Sequence, residues 1–94
     1  MNSRVQLFRV LPCILVTLWA GSATANQVQK NAERQGYADG REFAYDNKSR
    51  RIPVTKDVCL AGSMVAADNL PSNIPANQRK TYGAAVFNGC MAAR

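Results

Sequence analysis

The order of residue types at the amino terminus decides how much of this chain is left to form a domain. Met1-Asn-Ser-Arg-Val-Gln-Leu-Phe-Arg9 carries two arginines and no acid, Val10 to Ala20 is largely apolar, and Gly21-Ser-Ala-Thr-Ala25 supplies small residues. This succession is that of a secretory signal peptide, and Ala23 and Ala25 stand where a signal peptidase reads, so cleavage is expected between Ala25 and Asn26. The apolar run is about 11 residues, short of the roughly 20 needed to cross a bilayer, which weighs against an anchor helix. Cys13 lies inside the run and follows Pro12 rather than a small residue, which weighs against lipidation.

Removal of residues 1–25 leaves 26–94 as one small domain. The whole chain has a formal net charge of +6; losing Arg4 and Arg9 leaves ten Lys and Arg against six acids. Val, Ile, Leu, Phe and Tyr are few in this part and Ala is abundant, so the core is expected to be thin and to need a covalent staple. Two cysteines remain, Cys59 and Cys90, and in an oxidising compartment they have one intramolecular pairing open to them. Closing that loop should stabilise the fold by roughly 3–4 kcal/mol in the chain-entropy view. Neither cysteine belongs to a Cys-x-x-Cys motif, which weighs against a redox role.

Hydrophobic spacing predicts three helices and an all-α fold: one helix followed by a disulfide-linked antiparallel helical hairpin. Val28, Ala32, Gly36, Gly40 and Ala44 recur every four residues and fall on one face of a helix from Asn26 to about Asp46. Glycine inside a helix costs about 1 kcal/mol against alanine, so Gly36 and Gly40 imply either close approach of a neighbouring backbone or a break near Gly40. Pro53 ends the pattern by holding Ile52 extended. A second helix fits Lys56 to Asn69, with Thr55 as N-cap and Asp57 in the first turn. It is apolar almost all round, from which it is expected to be the central, most buried helix. Leu70-Pro-Ser-Asn-Ile-Pro75 reads as a turn, and a third helix begins at Pro75 or Ala76 and runs toward Ala93, with Tyr82, Ala85, Val86, Gly89, Cys90 and Ala93 inward.

Chemistry is hard to find in these residues. The chain has no histidine, which removes the commonest general base and metal ligand. With Cys59 and Cys90 paired, thiolate ligands are gone too, so neither a metal nor a cofactor is expected. Glu33, Asp39, Glu42, Asp46, Asp57 and Asp68 read as surface solvation, because a bundle this small is not expected to enclose a useful pocket. Gly62-Ser63 lacks the second glycine of a nucleophile elbow. The chain therefore reads as a non-enzyme.

Its basic residues have more character. Lys30, Arg34 and Arg41 share one flank of the first helix, and Lys48, Arg50, Arg51 and Lys56 crowd the connector after it, a set suited to a protein with an acidic surface. The plain alternative is a solvated rim diluted by neighbouring acids. Nucleic acid is disfavoured by export and by the lack of a reading motif, and a membrane surface is disfavoured by the modest charge. The expected function is that of a small periplasmic or secreted protein acting by protein–protein binding, as an inhibitor, immunity or accessory protein. Two other readings compete with it: a periplasmic stress chaperone, and a cationic effector peptide released by processing after Lys48-Ser-Arg-Arg51. In a eukaryotic host Asn47-Lys-Ser49 would also be a glycosylation acceptor.

Overall fold

A computed structural model describes residues 24–94 of the chain. The segment read as a signal peptide, with Arg4, Arg9, Cys13 and Trp19, lies outside the described residues save for Thr24 and Ala25. Three α-helices follow in order: α1, Thr24–Ser49; α2, Lys56–Asp68; and α3, Arg79–Ala93, which a 3₁₀ turn at Ala76–Gln78 precedes. No strand occurs among the described residues.

Local chemistry sets the helix ends. α1 runs unbroken through Gly36 and Gly40 and three residues beyond the expected Asp46. It stops where Ile52 N–H donates to the Asn47 carbonyl (2.8 Å) and Arg51 N–H to the Lys48 carbonyl (3.0 Å). That is a Schellman closure, and Arg51 occupies its left-handed position at φ 61°, a place where glycine is usual. α2 opens on Thr55 as expected, with Val58 N–H donating to Thr55 Oγ1 (3.2 Å) and Asp57 in the first turn. In the turn after α2, Ile74 is buried, and Asn73 Nδ2 donates to Gln35 Oε1 (2.8 Å), tying the turn to α1.

The small-residue row of α1 decides the packing. Ala32, Gly36, Gly40 and Ala44 are all buried, and α3 lies along them, parallel to α1. A Cβ added to Gly36 would fall 2.6 Å from the Tyr82 carbonyl oxygen, and one added to Gly40 would overlap the Val86 carbonyl. The relation is mutual, because a Cβ on Gly89 would overlap the Tyr37 carbonyl. Close backbone approach, rather than a break, is thus the reason for these glycines.

α2 runs antiparallel to α3 and is fastened to it by the Cys59–Cys90 disulfide, whose Cα atoms are 5.5 Å apart. The two half-cystines are the largest side chains in the fold that are fully buried. They join Ala44 and Ala93 in one core cluster, while Ala32, Ile74, Tyr82 and Val86 form the other.

The expectation that α2 is the central helix is corrected by this arrangement. α3 is central, and α2 buries only Cys59 and Ser63 while leaving Leu60, Met64 and Val65 49%, 61% and 62% exposed. The cause is depth of approach. Glycine and alanine let α3 sit against the α1 backbone, so six α3 residues are buried without one large aliphatic beyond Val86. α2 has the larger side chains, but it meets α1 chiefly through Phe43, whose ring lies over Gly62.

Candidate functional site

The residues expected to contact a partner lie on α1 and its carboxyl end, and all seven (Lys30, Arg34, Arg41, Lys48, Arg50, Arg51 and Lys56) are exposed. Lys30, Arg34, Arg41 and Lys48 are spaced by four, seven and seven residues, which at 100° per residue keeps them within about 40° of one another along roughly 27 Å of helix. Tyr37 and Tyr45 fall on the same stripe and are 41% and 50% exposed. Arg41 Nη2 donates to Tyr45 Oη (2.8 Å), and the Arg41 guanidinium and the Lys48 ammonium lie 5.7 and 5.6 Å from the Tyr45 ring centroid. The hydrogen bond from Arg41 and then its charge pull the Tyr45 hydroxyl below its ordinary pKa. These exposed contacts gather Arg41, Tyr45 and Lys48 into one cluster at the carboxyl end of the stripe.

Helix phase keeps the acids off this stripe. Asp39, Glu42 and Asp46 flank it along one edge, where Tyr45 lines a depression with them, and Glu33 lies at the other edge, nearer the core, beside Tyr37. Among the described residues the ion pair that forms is Arg50–Asp46, at 3.5 Å between two exposed side chains, a contact of small energetic worth. Arg50 and Arg51 belong to the helix end rather than to the stripe, and Lys56 begins α2. The two tyrosines escaped the charge-based reading, although their spacing was visible: Tyr37 follows Lys30 by seven residues and Tyr45 follows Arg41 by four.

A second feature contradicts the expectation that so small a bundle holds no useful pocket. A groove of about 530 Å³ lies between α1 and α2, lined by Asp39, Phe43, Asn47, Val58, Ala61, Gly62, Val65, Ala66 and Val86. It exists because α2 reaches α3 through the disulfide while Phe43 keeps it off α1. Next to it, Tyr82 Oη donates to Asp39 Oδ2 (2.5 Å); burial first, then this bond, pushes the Tyr82 hydroxyl above its ordinary pKa.

The remaining chemical candidates have structural explanations. Ser63 is buried and donates to the Leu60 carbonyl (2.7 Å), the ordinary satisfaction of a helical serine. Among the described residues no three His, Cys, Asp or Glu side chains are grouped so as to hold a metal ion. No described helix is long and apolar enough to cross a membrane. No family model, curated protein or solved structure matches the chain.

Proposed function

We propose that residues 26–94 are an exported protein that works by binding another protein, and that the basic, tyrosine-bearing face of α1 receives an acidic surface of that partner. The observation that carries this reading is the stripe itself: four cations and two half-exposed tyrosines along one side of the longest helix, with the carboxylates of α1 at its edges rather than between the cations. Arg and Tyr are the side chains that interfaces concentrate, and rim solvation alone gives no reason to place tyrosine between the cations. A rigid helix also presents these groups with little ordering entropy left to lose on binding. Export is supported by the Cys59–Cys90 disulfide, which belongs to an oxidising compartment such as a periplasm or the extracellular space. Cleavage after Ala25 would remove only the first two residues of α1.

The effector-peptide reading keeps one observation in its favour, the exposed Arg50-Arg51 at a helix end. Cleavage there would strip α1 from α3 and uncover Tyr82, Ala85, Val86 and Gly89, which is a poor route to a folded product. Mass spectrometry of the exported material tests both: the binding reading expects a species beginning at Asn26 and one disulfide. Affinity capture from the same compartment should then return one stoichiometric acidic partner, released by salt, and the combined change Arg34→Ala, Arg41→Ala and Tyr45→Ala should abolish it. Undiminished capture by that variant would remove the assignment to α1.

A further inference from the structure

We infer that the groove between α1 and α2 is a second docking site, of opposite polarity to the α1 stripe, and that it receives a cationic amphipathic helix from a partner protein. Its volume, about 530 Å³, is in the range that holds a ligand or a set of anchoring side chains. Val65, 62% exposed, lines the groove, and Leu60 and Met64, 49% and 61% exposed, continue the apolar surface of α2 around the helix away from α1, so that the three make a patch rather than scattered surface. Phe43 supplies an aromatic wall from α1.

Charge selects the occupant. The chain is basic, yet the groove itself holds no cation and is edged by carboxylates. Asp39 lines the groove itself, while Glu42 and Asp46 line the adjoining depression that shares Asp39 and Phe43. Asp57 and Asp68 are exposed and bracket the apolar residues of α2. They are eleven residues apart, hence about 20° apart in helix phase and roughly 16 Å along the axis. An amphipathic helix laid into the groove would match them with Lys or Arg at its two ends and aliphatic side chains between, the helix-in-groove mode of recognition. Asp46 shares its charge with Arg50 and Asp39 accepts the Tyr82 hydroxyl, so Asp57 and Asp68 carry most of the selection.

The same two residues disfavour a second copy of the chain. An antiparallel α2 pair that buries Leu60 against Val65 places Asp57 opposite Asp68 at both ends, and like charges facing each other repel. An anionic amphiphile meets the same acidic rim.

The test uses the purified chain and two fluorescently labelled helical peptides, one of Leu and Lys and one with Glu in place of Lys, followed by anisotropy. The Lys peptide should bind at least about tenfold more tightly than the Glu peptide, with affinity falling as salt rises. Ala61→Phe, which fills the groove from an exposed position, should weaken binding about tenfold, and Asp57→Asn with Asp68→Asn should reduce both affinity and salt dependence. Arg34→Ala, more than a turn before the acidic depression on α1, should leave it unchanged, so that this site and the α1 site fail separately. Equal binding of the two peptides overturns the proposal. So does normal binding by the Asp57/Asp68 double variant, a change that leaves the apolar packing intact. A free chain that sediments as a dimer and is made monomeric by Val65→Lys would assign the face to a second copy instead.

Discussion

Gly40 stands where ordinary helix propensity and packing pull in opposite directions. Alanine is the better helix former by about 1 kcal/mol, but its methyl at position 40 would enter the Val86 carbonyl of α3. Backbone on both sides leaves no flexible side chain to yield, so Gly40→Ala should destabilise by about 2–4 kcal/mol net, read as a lowered urea midpoint at unchanged slope. A neutral result would mean the two helices do not meet this closely. Tyr82 sets a second residue-scale limit, on pH. Its folded-state pKa is raised by burial and by the hydrogen bond to Asp39, so as pH rises the unfolded chain loses this proton first. The stability from neutral Tyr82 is therefore complete below about pH 10 and declines above it, by up to about 1.4 kcal/mol per pH unit. Unfolding titrations from pH 8 to 11 should show this decline in the native chain and a shallower one in Tyr82→Phe.

At the scale of the helices, the disulfide does the work a larger core would do. Cys59 and Cys90 fill the centre of one cluster and fasten α2, which otherwise buries little. Cys90→Ser should therefore cost about 2–5 kcal/mol, and far-UV circular dichroism should show it as a large fall in melting temperature; an unchanged melt would detach the disulfide from stability. The helices, the Thr55 cap and the cysteine pairing were legible in the sequence because each rests on local spacing or on a choice with one answer. The rank of the helices was not. Apolar content placed α2 at the centre, whereas burial follows how near two backbones can come, and that is set by the glycines of α1 and α3. The glycine row was visible; that its partner was α3 rather than α2 depends on tertiary geometry. For the same reason the groove was invisible: it arises from Phe43 holding apart two helices that the disulfide and the short connector keep in one fold. The basic stripe could be read from spacing, and its tyrosines could have been, had aromatic and charged positions been phased together.

In the whole molecule α1 is both the surface for one proposed partner and the structural cover of α3. Without it, Tyr82, Ala85, Val86 and Gly89 lose the face they pack against, and Ile74 and Tyr82 lose Ala32 from their cluster. The fragment 52–94 would keep the disulfide hairpin, but at 43 residues, near the size below which a chain cannot bury enough surface to fold, it would retain little apolar burial beyond the half-cystines. Loop closure at Cys59–Cys90 lowers the entropy of the unfolded fragment, by roughly 3–4 kcal/mol, without supplying the contacts that would hold it folded. The isolated, oxidised fragment 52–94 should accordingly show weak helical circular dichroism and no cooperative melt, and addition of a peptide spanning residues 26–51 should restore both in proportion to its concentration. A fragment that melts cooperatively alone would show that α2 and α3 form an autonomous hairpin. It would also return the processed-peptide reading to contention, because α1 could then be cut away at Arg51 without loss of the fold.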